Sequence, residues 1–409
     1  MGRLSIMTLS LALVALPLPS AGDTVAPRTL EEYRALSRAA NPSVRAAMSG
    51  ARAATERVGV ARGYPDPFLM YGYYVAPDPM QGRQELELRQ EIPFPGKRGL
   101  RGDVAAREAD MIARSADALA LDVDFEVAEA FYEYVRASEV GRVLEDERGL
   151  VIRMRDVTRV RYSSGTAEQQ EVLKLELALS QIDDARTMNE HERDHAGLRL
   201  NELTGRDARA PLAAPEWTTP DPSALEAMAI SDSALVHRPE MAAARAGLER
   251  AQAARKLAGR EYIPDFMLGV MFEYGADRDE EWEVLAGVSL PIWLGKRRAM
   301  VRETEAMREA ARHALQAEEL RVRRDVEDAL HAMYSARERL ERFEQLILPQ
   351  AEQAFESSEA GYRAGRVDFM DYLDSERMLL AMRKEYYGVV AELGMRVAAL
   401  ERALGYRAE

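Results

Sequence analysis

The sequence contains no cysteine. That absence excludes disulfides, thiolate metal sites, cysteine nucleophiles and an N-terminal cysteine carrying lipid. A basic surplus is missing as well. The net charge is −14 with no basic block to offset it, so nucleic acid is not an expected partner. Past the N-terminus no apolar run approaches the ~18 residues that a membrane-spanning helix needs. What remains is 47% hydrophobic and 30% charged over 409 residues, the balance of a folded chain rather than a disordered one.

Residues 1–22 read as a secretory signal peptide. Arg3 supplies the positive start, Ile6 to Leu16 the apolar stretch, and Ser20-Ala21-Gly22 a small-residue cleavage site. The apolar stretch is short for a bilayer span. An exported, acidic chain without disulfides fits a bacterial periplasm or outer membrane.

The rest divides into repeat one at 23–208, a proline-rich linker at 209–222 and repeat two at 223–409. In repeat one, Val44, Ala47, Ala51, Ala54 and Val58 recur at helical spacing after Asn41-Pro42. Strands are expected at about 68–75 and 84–92. In the second, Leu86, Leu88 and Ile92 alternate with Glu85, Glu87, Arg89 and Glu91. The stretch Glu91 to Arg98 then switches the period from two to that of a helix. Ile112, Ala116, Leu119, Val123, Val127, Ala130 and Tyr134 step by three and four along a coiled-coil-like seam to about Arg161. Tyr162-Ser163-Ser164-Gly165 ends that helix, and another runs from near Thr166 to Leu203 before Gly205.

Repeat two copies the plan. Strands are expected at about 266–274 and 282–290, around the polar turn Ala276-Asp277-Arg278-Asp279. Leu290-Pro291-Ile292-Trp293-Leu294-Gly295-Lys296-Arg297 repeats the first junction. Val322, Val326, Ala329, Met333, Ala336, Leu340, Phe343 and Ile347 form the second seam, with a bend expected at Pro349. Gly365 and Gly405 follow Gly165 and Gly205 at an offset of 200. Four strands per chain cannot close a membrane barrel, which takes about eight, and lipid does not tolerate an open sheet edge. If the strands lie in lipid, several chains share one barrel. Spacing alone does not choose two chains or three. A soluble hairpin packed on a core is the plainer alternative.

With its twofold repeat, its strand–proline–Gly-Lys-Arg–helix junctions and the turns ending at Gly165 and Gly365, the second running into Asp371-Tyr372-Leu373-Asp374, the chain resembles the TolC family of outer-membrane efflux factors. Gln90 to Gly99 is most similar to the family's heavy-metal efflux branch. The resemblance covers essentially the whole mature chain. It implies a mainly α fold with a transmembrane β part: a homotrimer with a 12-stranded outer-membrane β-barrel and a long periplasmic α-barrel. It implies a periplasmic adaptor (membrane fusion) protein and an inner-membrane pump of the RND type as partners, outer-membrane lipid around the strands, no cofactor and no enzymatic chemistry. Many relatives carry a lipidated cysteine; without one, anchoring falls to the barrel.

By the same resemblance Asp371 and Asp374 line the periplasmic aperture, with Tyr362 and Glu168 joining the closed contacts. The turns at Gly165 and Gly365 are the adaptor-docking tips. Pro93, Gly96 and Lys97, and Pro291, Gly295 and Lys296, mark the strand–helix junctions, whose cations (with Arg98 and Arg297) are expected to meet lipid headgroups. Asp368 is an expected N-cap. Two rival readings remain. One is an exported coiled-coil scaffold without a pore. The other is a zinc hydrolase on His191-Glu192-Arg193-Asp194-His195, which satisfies H-E-x-x-H but sits among Asn189, Glu190, Arg193 and Asp194 on a charged helix face. Met378 and Met382 share a helical face near the tip, and methionine there reads as seam filling rather than copper handling.

Overall fold

A computed structural model describes residues 26–75, 83–222, 231–275 and 278–405. The expected signal peptide and the first residues of repeat two lie outside them. Helices α1 (Leu30–Ala40) and α2 (Pro42–Arg62) are set by local chemistry. Thr29 Oγ1 accepts the Glu32 N–H and the Glu32 carboxylate accepts the Thr29 N–H, a reciprocal cap. Asn41 caps α2 through the N–H groups of Ser43 and Val44, and Pro42 occupies the first turn, where its missing N–H costs no bond.

Strands β1 (Phe68–Tyr73), β2 (Gln84–Ile92), β3 (Phe266–Gly275) and β4 (Arg278–Val288) form one antiparallel sheet in that order. Leu88 faces Leu69 on one side and Val270 on the other, and Val270 faces Val284. These side chains and Leu86, Leu268, Trp282 and Val288 are all exposed on one face. Glu87, on the opposite face, is buried and accepts from the Arg89 guanidinium at 2.9 Å. The strands differ from the expected bounds at their ends. A bulge between Glu273 and Gly275 shifts the ladder so that Gly275 pairs Arg278, which takes part of the expected turn into β4. At the other end Ser289 leaves the ladder to bond Asp265, ahead of Pro291.

Helix α3 (Lys97–Ser163) has 67 residues, about 100 Å at 1.5 Å per residue. Ala116, Val123, Val127, Ala130 and Tyr134 of the expected seam are buried. α4 (Gln169–Leu203) runs beside it. It starts three residues later than expected because Glu168 serves as its N-cap, sharing a capping box with Glu171. In repeat two come α5 (Ser231–His237), α6 (Pro239–Arg260) and α7 (Leu294–Arg342). A π-helical segment, Phe343–Ile347, leads into α8 (Leu348–Arg363), and α9 (Phe369–Leu404) follows. Where a bend was expected at Pro349, the column carries this π segment. Pro349 then falls in the first turn of α8, so its missing N–H breaks no helical bond.

The core is a row of seams rather than a ball. Leu200, Phe131 and Val127 lie in one cluster, Leu373, Leu175 and Leu144 in a second, Met333, Val326 and Leu393 in a third. α3 touches α2, α4, α6 and α9 and is the hub. The 209–222 stretch is no loose linker. Leu212 packs on the first-repeat core, the Glu216 N–H bonds the Arg28 carbonyl, and Trp217 Nε1 donates to Glu139 at 3.0 Å.

Candidate functional site

The junction between β2 and α3 is built around a buried cation. Pro93 ends the strand, and Gly96 turns the chain at φ 94° to start the helix, a conformation that favours glycine. Lys97 follows and is only 1% exposed. Its Nζ donates to Asp265 Oδ2 at 2.9 Å and to the Ile263 carbonyl at 2.7 Å, with Glu261 at 3.7 Å. Asp265 Oδ1 accepts the Phe94 N–H at 2.6 Å. Burial opposes ionisation of Asp265, but the Phe94 N–H and Lys97 together hold its carboxyl below the usual range. Lys97 therefore does not meet lipid headgroups: it ties repeat one to repeat two. Arg98 is also engaged within the chain, donating to the Arg62 carbonyl and lying 3.5 Å from the Tyr64 ring centre.

The second junction is built differently. Gly295 lies inside the first turn of α7, after Trp293 as N-cap, and has no positive φ. Arg297 reaches Glu261 at 3.7 Å. Lys296 is exposed and has no hydrogen bond or ion pair among the described residues. Ile292 and Trp293 are exposed beside it.

At the far end of the helices two turns lie side by side. Gly165 (φ 75°) and Gly365 (φ 69°) close them, and a Cβ at either would touch nothing within 4 Å. Asp368 caps α9, accepting the N–H groups of Met370 and Asp371. Asp371 and Asp374 are exposed, while Tyr372 and Leu373 between them are buried, so both carboxylates leave the helix on its open side. Asp374 has Arg377 at 3.8 Å. Tyr362 is placed elsewhere. Its ring stacks on Tyr372 at 5.0 Å, its hydroxyl donates to Glu171 at 3.3 Å, and the Arg161 guanidinium lies 5.0 Å from the ring centre. Burial pushes its phenol pKa up. It joins the two tip turns within one chain. Glu168 is exposed but committed to capping α4.

His191, Glu192 and His195 lie on an exposed face of α4, and Glu192 accepts from Arg136 at 3.1 Å. Among the described residues no group of three or more His, Asp or Glu side chains is placed to share a metal ion. Met382 packs on the core and Met378 is exposed. A third cluster went unread in the sequence. Arg402 on α9 bridges Asp122 on α3 at 2.6 Å and Glu240 on α6, while Arg238 joins Asp325 at 3.1 Å and Arg34 joins Glu401 at 2.7 Å. Burial opposes ionisation of Glu240, but its Arg402 and Arg238 bonds draw its pKa down to about 2. Its only sequence signal was the Arg238-Pro239-Glu240 helix start.

Among the described residues no helix is long and apolar enough to cross a membrane. Residues 230–406 match the model of a family described as outer membrane efflux protein. Over 407 aligned residues the chain is 25% identical to the cobalt-zinc-cadmium resistance protein CzcC of Cupriavidus metallidurans, covering 94% of this chain and 91% of that one. Among solved structures it superposes on CusC with a TM-score of 0.79 at 15% identity, over 98% of this chain and 99% of that one. It superposes on the outer membrane protein VceC of Vibrio cholerae with a TM-score of 0.77 at 19% identity, over 92% and 96%. These two likenesses are of fold.

Proposed function

We propose that the chain is an outer membrane efflux protein, a reading supported by the match of residues 230–406 to that family's model and by the likeness to CzcC over nearly its whole length, and that three copies close a single tube. It is an outer-membrane efflux duct that extends into the periplasm and works in a tripartite system with a periplasmic adaptor and an inner-membrane pump. It performs no covalent chemistry. In the trimer, three four-stranded sheets make a 12-stranded barrel in lipid, and the helical columns make the periplasmic α-barrel. The observation that supports this best is the sheet itself: one outward apolar face, and two edges, β1 and β4, with no strand beside them among the described residues. The pump is of the RND type. Native mass spectrometry of the detergent-extracted protein, with conductance in planar bilayers, tests the trimeric pore. A monomer without conductance returns the scaffold reading.

Asp371 and Asp374 form the gate. Threefold repetition turns each exposed carboxylate into a ring that favours cations. Replacing both by Ala is expected to raise single-channel conductance and weaken block by divalent cations; unchanged currents count against the gate. The open turns at Gly165 and Gly365 dock the adaptor. The likeness to a cobalt-zinc-cadmium resistance protein over nearly the whole chain supports divalent metal cations as the cargo. Deleting the gene is expected to lower the zinc, cobalt or cadmium concentration that stops growth, and unchanged tolerance to all three removes this cargo.

A further inference from the structure

At the strand–helix junctions the chain joins repeat one to repeat two once, and the sequence supplies the parts for a second such joint that a single chain cannot make. Within the chain, β2 of repeat one pairs β3 of repeat two, and Lys97 of repeat one is buried by Asp265 of repeat two. Position by position, β1 maps onto β3 with an offset of 199, as Asp66 does onto Asp265. β2 maps onto β4 with an offset of 198, as Pro93 does onto Pro291. The two within-repeat ladders confirm the mapping. Phe68 faces Arg89, and their counterparts Met267 and Gly287 face each other.

Half of the contact is visibly missing. One residue is inserted between Pro291 and Gly295, so past it the offset returns to 199 and Lys296 is the counterpart of Lys97; it is exposed, as is Asp66, the counterpart of Asp265. The side chains of both lack a hydrogen bond or ion pair among the described residues. Phe94 lies three residues before its lysine and gives its N–H to Asp265. Trp293 lies three residues before Lys296, and its N–H has no acceptor among the described residues. The first turns of α3 bury Lys97, Gly102, Ala109 and Ala116, whereas the first buried residue of α7 is Val322. Among the described residues α7 has α6 along that stretch, as Arg255 on Glu305 shows, whereas α3 has both α2 and α6; the second neighbour is what α7 lacks.

We propose that a second copy of this chain fills it: Lys296 of one copy is buried against Asp66 of the next, and β4 pairs the neighbour's β1 with Ala286 opposite Tyr71. This rests on the trimeric reading and specifies its seam. The mapping converts Leu88↔Val270 into Ala286↔Tyr71, Leu86↔Phe272 into Val284↔Tyr73 and Gln90↔Leu268 into Val288↔Leu69. The register keeps the exposed apolar residues of both strands on one face. A shift by one residue would set Ala286 against Gly72 and put the two apolar sets on opposite faces. The seam is weaker in charge than the internal one. Arg62 stands where Glu261 does and is held at home over Gly102, 3.9 Å from Asp103. Lys296 therefore meets one carboxylate where Lys97 meets two.

The absence of native cysteine makes the test clean. In full-length chains inserted in outer membranes, A286C with Y71C is expected to give a covalent trimer on oxidation with copper phenanthroline. A286C with Leu69→Cys or Tyr73→Cys should link several-fold less, and A286C with Gly72→Cys hardly at all. Stronger linkage of a shifted pair, in a protein whose native mass is still trimeric, overturns the register but leaves the trimer. A monomeric native mass with no pair linking overturns the trimer itself. Separately, Lys296→Asp is expected to lower the temperature at which the trimer dissociates in SDS, and adding Asp66→Lys to restore it. A K296D trimer as heat-resistant as the parent, or one that D66K does not rescue, overturns the ion pair.

Discussion

Glu147 sits on α3 with 5% exposure, and its Oε1 has no hydrogen-bond partner among the described residues. Burial pushes its pKa up to about 7 against the pull of Arg383 and Arg153. The sign follows directly. Below about pH 4.5 the group is protonated in both states. Between there and about 7 the folded chain keeps a proton that the unfolded chain releases, so stability falls as pH rises, and the loss is complete above 7. The penalty is on the order of 3 kcal/mol. Glu147→Gln is expected to raise the thermal midpoint at pH 8 and to leave it unchanged at pH 4.5, read by circular dichroism; an equal gain at both sinks the titration as the cause. Single residues were also where the sequence misled. Lys97 and Lys296 stand in the same Gly-Lys-Arg pattern, yet one is buried and the other exposed. What decides is a carboxylate 168 positions away, which no local pattern carries. Tyr362 has partners, Tyr372 and Glu171, that are likewise beyond the reach of a local pattern.

Elements were far more legible, because periodicity is a local property. The two long seams, the strand alternation and the closing glycines all followed from spacing. The misses came from local irregularities: the bulge that lengthens β4 and the π segment ahead of Pro349. Two glycines show how position decides the worth of the same turn. Gly205 (φ 65°) closes α4 against α1, and a Cβ there would lie 2.8 Å from the Ala40 carbonyl oxygen. Gly365 has the same backbone sign and open space around it. Alanine at Gly365 costs only the left-handed backbone, about 1–2 kcal/mol. Gly205→Ala adds a displacement of the α1–α2 corner and is expected to cost about 1–3 kcal/mol more. Thermal unfolding of the two variants side by side checks this, and equal midpoints would show that the corner yields freely.

At the scale of the whole molecule, geometry excluded more than composition did. Four strands are too few to close a membrane barrel, so on the proposed reading one chain is a sector of something larger. Both the efflux duct and a pore-free scaffold accommodate the helices; they part at the sheet. Val284 on β4 is 78% exposed on the apolar face, and Glu283 beside it points to the other face. If that apolar face meets hydrocarbon, Val284→Lys costs about 2–4 kcal/mol near the bilayer midplane, whereas Glu283→Lys meets water in the lumen and costs little. The expected outcome is a sharp drop in heat-modifiable protein recovered from outer membranes for V284K and near-parental recovery for E283K. In a water-soluble scaffold both positions are simply exposed, and both lysines are tolerated alike. Equal recovery would thus remove the lipid from the outside of the sheet, and with it the reason for two open edges to find each other in a membrane.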